Sequence, residues 1–205
     1  MPRKNPMVRI NARPSGGRPS QSFVLRIIGG EWRGRKIHFP PVQAIRPTPD
    51  RVRETVFNWL QGVTPGSRCL DLYAGSGALG FEALSRGARE VVFVDVEPAV
   101  VRHIGDTLRN LGCDRGRTVR ADAAGFLAQP ATPFDVIFLD PPFAAPVLPD
   151  ICQHIEASHA DLVVLGRHGY GGGLQDWLLG SVSKDVALAA PCDVLMISPG
   201  SPAGY

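Results

Sequence analysis

Apolar residues recur in short blocks along this chain, and the spacing inside each block changes with position. Residues 24–28 form a β-prone run that Gly29 and Gly30 break, and residues 36–39 resume it before two prolines. The pair predicts a small β unit. Val52, Val56, Trp59, Leu60 and Val63 then recur at helical spacing, which predicts a helix turning those residues to the core. Thr48 or Asp50 would cap it, and Pro65 with Gly66 would end it. From Cys69 the rhythm becomes strand, loop, helix. Residues 69–73, 91–94, 118–121 and 134–139 read as strands. One helix begins near Phe81 and closes near Gly87. Another starts at Pro98, with Val101, Ile104, Leu108 and Leu111 on its apolar face. Later, helices over 148–158 and 174–189 and strands over 161–166 and 193–198 are expected. Such alternation predicts an α/β fold, a doubly wound, parallel, Rossmann-like sheet. Numbering its strands from Cys69, the expected order is 3-2-1-4-5-6. Its outer edge at 193–198 would be apolar, suiting a homodimer paired through that edge.

Charge changes the picture at the amino terminus. Residues 1–36 carry nine Lys or Arg against one acid, whereas the remainder carries thirteen against eighteen. A basic arm on a mildly acidic body suits a polyanion such as RNA. Residues 1–22, rich in Arg, Pro, Gly and Ser, read as a disordered basic tail. Length and composition suit one globular core. No apolar run is long enough to span a membrane, no apolar segment follows the basic start, and the four cysteines are scattered. A cytoplasmic protein with no membrane partner is expected. The expected divisions are the tail, a body over 23–143, a segment over 144–200 that completes the sheet, and a short end at 201–205.

Candidate chemistry collects where strands end. Gly75, Gly77 and Gly80 form a GxGxxG loop between a strand and a helix, and Asp95 follows Gly75 by twenty residues. That distance suits an acceptor for ribose hydroxyls, so a nicotinamide dinucleotide is one reading. Asp71 supports another, because an acid there can hold the ammonium group of S-adenosylmethionine. Asp122 is placed to accept from an adenine amine. Asp140, Pro141, Pro142 and Phe143 follow the strand at 134–139. Two prolines cannot donate to a sheet ladder, so they stop the strand and stiffen its exit. An acid, a carbonyl and an aromatic face then make a notch for a planar, amine-bearing ring, unless the run is an ordinary strand exit. In the basic β unit, Arg26, Arg33, Arg35 and Lys36 suit RNA phosphates. Trp32 either stacks on bases or forms a lid over the next helix.

Four stretches carry a family resemblance. They are residues 26–36, the run Arg46-Pro47-Thr48-Pro49-Asp50-Arg51-Val52-Arg53-Glu54-Thr55 with its continuation to Leu60, residues 71–80, and Asp140 to Phe143. Together, over about residues 23–143, they resemble the 16S ribosomal RNA guanine-N2 methyltransferase family (small-subunit methyltransferase D). The resemblance implies a class I methyltransferase fold and S-adenosylmethionine as methyl donor. It also implies a guanine exocyclic amine in small-subunit RNA, naked or within an assembling 30S particle, as acceptor. On it, Asp71, Gly75, Gly77, Gly80, Asp95 and Asp122 serve the donor, and Asp140, Pro141, Pro142 and Phe143 serve catalysis. The residues alone do not separate guanine N2 from adenine N6 or cytosine N4.

Beyond residue 144 the chain resembles the carboxyl-terminal part of the universal stress protein family instead. Gly166, Gly169, Gly180 and Ser181 are similar to that family's ATP-phosphate loop, with ten rather than nine residues between Gly169 and Gly180. The resemblance implies an ATP-binding module, or a fusion of the two families, as the alternative function. Cys152, His154 and His159 do not share a helix face, so no metal site is expected.

Overall fold

The computed structural model describes residues 23–39, 48–130, 133–141, 160–166 and 192–197. Strands β1 (Phe23–Arg26) and β2 (Lys36–Phe39) pair antiparallel, with Arg26 opposite Lys36 and Val24 opposite His38. The hairpin turns Leu25, Ile37 and Phe39 inward and leaves Val24, Arg26, Lys36 and His38 exposed. Three helices share its core: α1 (Asp50–Trp59), α2 (Ala78–Ser85) and α3 (Pro98–Leu111).

Behind them lies a six-stranded sheet. Its strands are β3 (Arg68–Asp71), β4 (Glu90–Asp95), β5 (Gly116–Arg120), β6 (Val136–Leu139), β7 (Leu162–Gly166) and β8 (Asp193–Ile197). They run parallel in the order β5-β4-β3-β6-β7-β8, the order expected from the sequence. Strand residues alternate between two cores. Cys69, Val91, Phe93, Val136, Phe138 and Val164 face the hairpin and α1–α3. Leu70, Val92, Val94, Ile137, Leu139, Val163 and Leu165 face the other way, with Phe126 of α4 (Ala123–Leu127) and Phe134. Burial on both faces explains why these strands read as continuous apolar runs. The expected helices over 148–158 and 174–189, the tail 1–22 and residues 201–205 lie outside the described residues.

Two helices keep their expected period but turn a different face inward. In α1 the buried residues are Arg53, Val56 and Phe57, continued by Leu60. Val52 is only partly buried, while Trp59 and Val63 are 61% and 43% exposed. The phase rotates because a charged residue, Arg53, occupies an interior position against Glu82 of α2. Beyond Trp59 the chain tightens into a 3-10 turn (Leu60–Gly62), which shifts later residues off the α-helical period. In α3, Val100 rather than Val101 joins Ile104 and Leu108 in the core, with Thr107 between them.

The expected cap of α1 is also corrected. Pro49 occupies the cap position with no side-chain bond. Asp50 takes the Arg53 guanidinium at 2.6 Å instead, and the Thr48 hydroxyl donates to Asp140 at 3.3 Å.

Candidate active site

The sheet order reverses between β3 and β6. β3 leads outward through β4 to β5, and the chain then returns to place β6 on β3's other side. Loops leaving the two strands therefore diverge and open a crevice at their carboxyl ends. Asp71 closes β3 and Asp140 follows β6, so both carboxylates stand at that crevice.

Asp71 is 3% exposed and accepts from the Gly80 backbone N–H at 3.0 Å. Gly80 lies in the first turn of α2, so Asp71 holds the helix onto the end of β3 by satisfying one of its unpaired donors. Burial raises the carboxyl's pKa to about 8. The Gly80 bond opposes the rise, while the Asp140 and Asp95 carboxylates add to it. Folding therefore keeps a proton on Asp71 that the unfolded chain releases near 3.8. Stability from this group is full below that value and drains away as pH rises through about 8. Thermal melts across that window should show the melting temperature falling as pH rises, with a shallower fall for Asp71→Asn. Equal slopes in the two proteins would overturn the assignment.

The glycine loop turns tightly. Gly75 and Gly77 have φ of 50° and 71°, a region in which side chains are disfavoured. Gly80 serves packing instead: a Cβ there would stand 2.2 Å from the Phe93 ring of β4. Its lack of a side chain thus lets helix and sheet approach closely. Asp95 takes the Gly75 N–H on one oxygen and the Glu97 N–H on the other, each at 2.9 Å. Each oxygen keeps a second lone pair for a ligand hydroxyl. Asp122 caps α4, accepting from Gly125 at 2.7 Å, and its residue remains exposed. Val96, directly after Asp95, is 60% exposed. This apolar side chain was not anticipated, although its place behind the strand-end acid was a usable signal.

Beyond β6, Asp140 is partly buried and Pro141 is buried. Pro142 and Phe143 lie outside the described residues. Thr48 reaches Asp140 from ninety-two residues away in the chain.

The hairpin is fixed to α1 and α2 by a buried charge cluster that sequence reasoning missed. Glu82 is fully buried and accepts from the Ile28 and Gly29 amides at 2.9 and 2.8 Å. It also takes the guanidinium groups of Arg53 at 3.3 Å and Arg86 at 2.8 Å. Arg53 in turn donates to the carbonyls of Arg26 and Thr48 at 2.8 and 3.2 Å. Of the residues expected to meet RNA, Arg26, Arg33, Arg35 and Lys36 are exposed. Trp32 is not: it is 4% exposed, and its backbone N–H bonds to the Ser85 hydroxyl at 2.9 Å. Its ring belongs to the core, with the Arg115 guanidinium 5.8 Å from its centre, and is too buried to serve as a stacking platform.

A cavity of about 620 Å³ at the opposite end of the sheet is lined by Arg68, Arg89, Arg115 and Arg117 among others. Glu90 pairs with both Arg68 and Arg117, and Glu31 pairs with Arg115. Most of that positive charge is thus met within the protein, far from the crevice where the carboxylates gather.

The model of the family described as Conserved hypothetical protein 95 matches residues 25–163. The chain belongs to this family. It is 46% identical over 137 residues to Ribosomal RNA small subunit methyltransferase D of Escherichia coli K12, covering 67% of this chain and 69% of that one. In solved structures, the family's fold appears in the Escherichia coli protein yhhF, provisionally described as a methyltransferase. That match has 46% identity, covers 66% of this chain and 75% of that one, and has a TM-score of 0.61. A 16S rRNA N2 methyltransferase from T. thermophilus, solved with AdoMet and guanosine, is 25% identical with a TM-score of 0.54. The match covers 68% of this chain and 39% of that one. The architecture is the class I methyltransferase fold.

The model of the universal stress protein family matches residues 146–198 and overlaps the first match over 146–163. Gly166 ends β7 within that segment. Gly169, Gly180 and Ser181, the other members of the expected phosphate loop, lie outside the described residues, as do Cys152, His154 and His159. No helix among the described residues is long and apolar enough to cross a membrane.

Proposed function

We propose that this chain is an S-adenosylmethionine-dependent methyltransferase acting in the cytoplasm on the exocyclic N2 amine of a guanine in small-subunit ribosomal RNA. The observation that carries the reading is the placement of Asp71 and Asp140 at the carboxyl ends of the adjacent strands β3 and β6, close enough for each charge to act on the other, in a chain whose relatives include ribosomal RNA methyltransferases. The donor side suits this ligand: a tight glycine loop, free lone pairs on Asp95, an exposed acid at Asp122 and an exposed apolar Val96. When bound, S-adenosylmethionine supplies a methyl carbon activated by its sulfonium.

The chain's own residues then act on the acceptor. A guanine amine is a weak nucleophile because its lone pair is delocalised into the ring. Asp140 accepts one N–H and the Pro141 carbonyl accepts the other, which orients the nitrogen and returns electron density to it. Phe143 stacks on the base after it leaves its own helix. Asp140 is also placed to receive the proton that the methylated nitrogen must lose. Positioning of this kind supplies much of the rate in a displacement. Incubation with labelled donor and unmodified small-subunit RNA, followed by nucleoside identification, tests the reading. Label in N2-methylguanosine is expected. Label in another nucleoside would overturn the base, and no label at all would overturn the activity.

The hairpin's exposed face supplies the RNA contact in this reading. Arg26 and Lys36 stand directly opposite each other, a like-charge pairing that disfavours the hairpin and suits a polyanion between them. Replacing Arg35 and Lys36 together by alanine should weaken RNA binding. It should also lower the slope of log affinity against log salt by about 1.5. Donor affinity and kcat at saturating RNA should stay unchanged. An unaltered salt slope would remove the hairpin from the RNA footprint.

A further inference from the structure

Asp140 can orient an amine only if its own carboxylate is oriented, and β6 ends one residue before it. Beyond the strand, the direction of the side chain must come from elsewhere. Thr48 contributes to it: its hydroxyl donates to Asp140 Oδ2 at 3.3 Å, in a partly buried setting.

Three features fix where that hydroxyl sits. Thr48 lies between two prolines, and the residue before a proline is confined to extended conformations. Its β-branched side chain has few χ1 choices. Its carbonyl is held at 3.2 Å by Arg53 Nε. Arg53 is itself fully buried and bound to Asp50 at 2.6 Å, the Arg26 carbonyl at 2.8 Å and Glu82 at 3.3 Å. A continuous set of bonds thus runs from α2 through Arg53 and Thr48 to the acceptor carboxylate, and the same arginine holds the end of β1 beside exposed Arg26.

We propose that Thr48 is a positioning residue for methyl transfer, its hydroxyl bond to Asp140 Oδ2 helping to aim the carboxylate at the acceptor amine, and that Arg53 holds Thr48 in place. The inference rests on the reading of Asp140 as the amine acceptor. It explains why a threonine between two prolines precedes α1 instead of a side chain that caps the helix. It also makes Arg53 common to the RNA-facing strand and the catalytic notch, so hairpin and notch are built on one anchor.

The test compares Thr48→Val, which keeps the shape and loses the hydroxyl, with Thr48→Ser, which keeps the hydroxyl. Thr48→Val should lower kcat about tenfold, the effect of losing one hydrogen bond to a charged group. KM for RNA, donor affinity by calorimetry and melting temperature should stay near wild type. Thr48→Ser should recover most of kcat. A purely structural role for Thr48 would instead lower the melting temperature and show no rescue by serine.

A second readout needs no turnover. Side-chain coupling constants of Asp140 in the ligand-free protein should report a changed χ1 population in Thr48→Val and the wild-type population in Thr48→Ser. If Thr48→Val leaves both kcat and that population unchanged, the positioning role is overturned. If the wild type itself transfers no methyl, the functional reading fails, and the couplings still decide whether Thr48 sets the direction of Asp140.

Discussion

Asp140→Asn is expected to lower kcat for methyl transfer by about 10²–10³-fold, the effect of removing one fixed polar group aimed at the reacting centre. Asparagine fits the same space between Thr48 and the end of β6, so the backbone and the crevice should persist. Two things change. The amide nitrogen can present a donor toward an amine that is itself a donor. The group also loses the negative charge that stabilises positive charge building on the attacking amine nitrogen. In the proposed reading the donor side is built on β3, β4 and the glycine loop, so affinity for S-adenosylmethionine should fall little. Single-turnover transfer from labelled donor and calorimetry with donor alone separate these quantities. Undiminished transfer in Asp140→Asn would take the acceptor role away from this residue. A parallel loss of donor binding would instead assign Asp140 to the donor pocket.

The largest effect on stability is expected at Glu82. Its carboxylate is fully buried and meets two amides and two guanidinium groups. Glu82→Gln keeps the volume but removes the charge, and it turns an NH₂ group toward groups that can only donate. Arg53 is then left buried, with only the half-exposed Asp50 as counter-charge. Breaking a buried pair from one side costs about 3–5 kcal/mol, chiefly because the remaining charge stays desolvated. At roughly 2–4 °C per kcal/mol for a chain of this size, the melting temperature should fall by about 10 °C or more. The Ile28 and Gly29 amides fasten the hairpin through Glu82, so limited proteolysis should cut residues 23–39 sooner in the variant. A melt within about 2 °C of wild type would show that the cluster contributes little net stability.

Much of the fold was legible in the sequence because its signals are local. Residues 91–94 and 134–139 are apolar on both faces, which marks buried parallel strands, and the glycines and helical periods between them mark the crossovers. The strand order followed from the alternation of strands and helices, which is the signature of a doubly wound sheet. Asp71, Asp95, Asp122 and Asp140 were legible for a related reason. Each interrupts or ends an apolar run, at the strand end where this class of sheet gathers ligands.

What was not legible depends on contacts between distant segments. Val52 and Trp59 looked like core residues of α1 because an arginine is not expected inside. The helix turns Arg53 inward only because Glu82, twenty-nine residues on, meets it. Trp32 sits among arginines in the sequence, which suggested an RNA platform. Its burial follows from docking on α2 through Ser85, an interaction fifty-three residues apart. Thr48 looked like a helix cap, and its hydroxyl bonds Asp140 instead. No local pattern encodes such pairings, because the free energy of each depends on desolvation and geometry that exist only once the elements pack.

The sequence by itself therefore determined the class of fold, the order of its sheet and the carboxylates that line the crevice, since hydrophobic period and strand-end position are properties of neighbouring residues. Only the tertiary structure decided which contacts those groups make within the protein. Asp71 and Gly80 fasten α2 to the sheet, Trp32 belongs to the core, and Arg53 joins the β1–β2 hairpin to the segment whose Thr48 bonds Asp140. Burial makes the difference. It gives an ion pair, a carboxyl proton or a single hydroxyl bond an energetic weight that the same groups would lack in water.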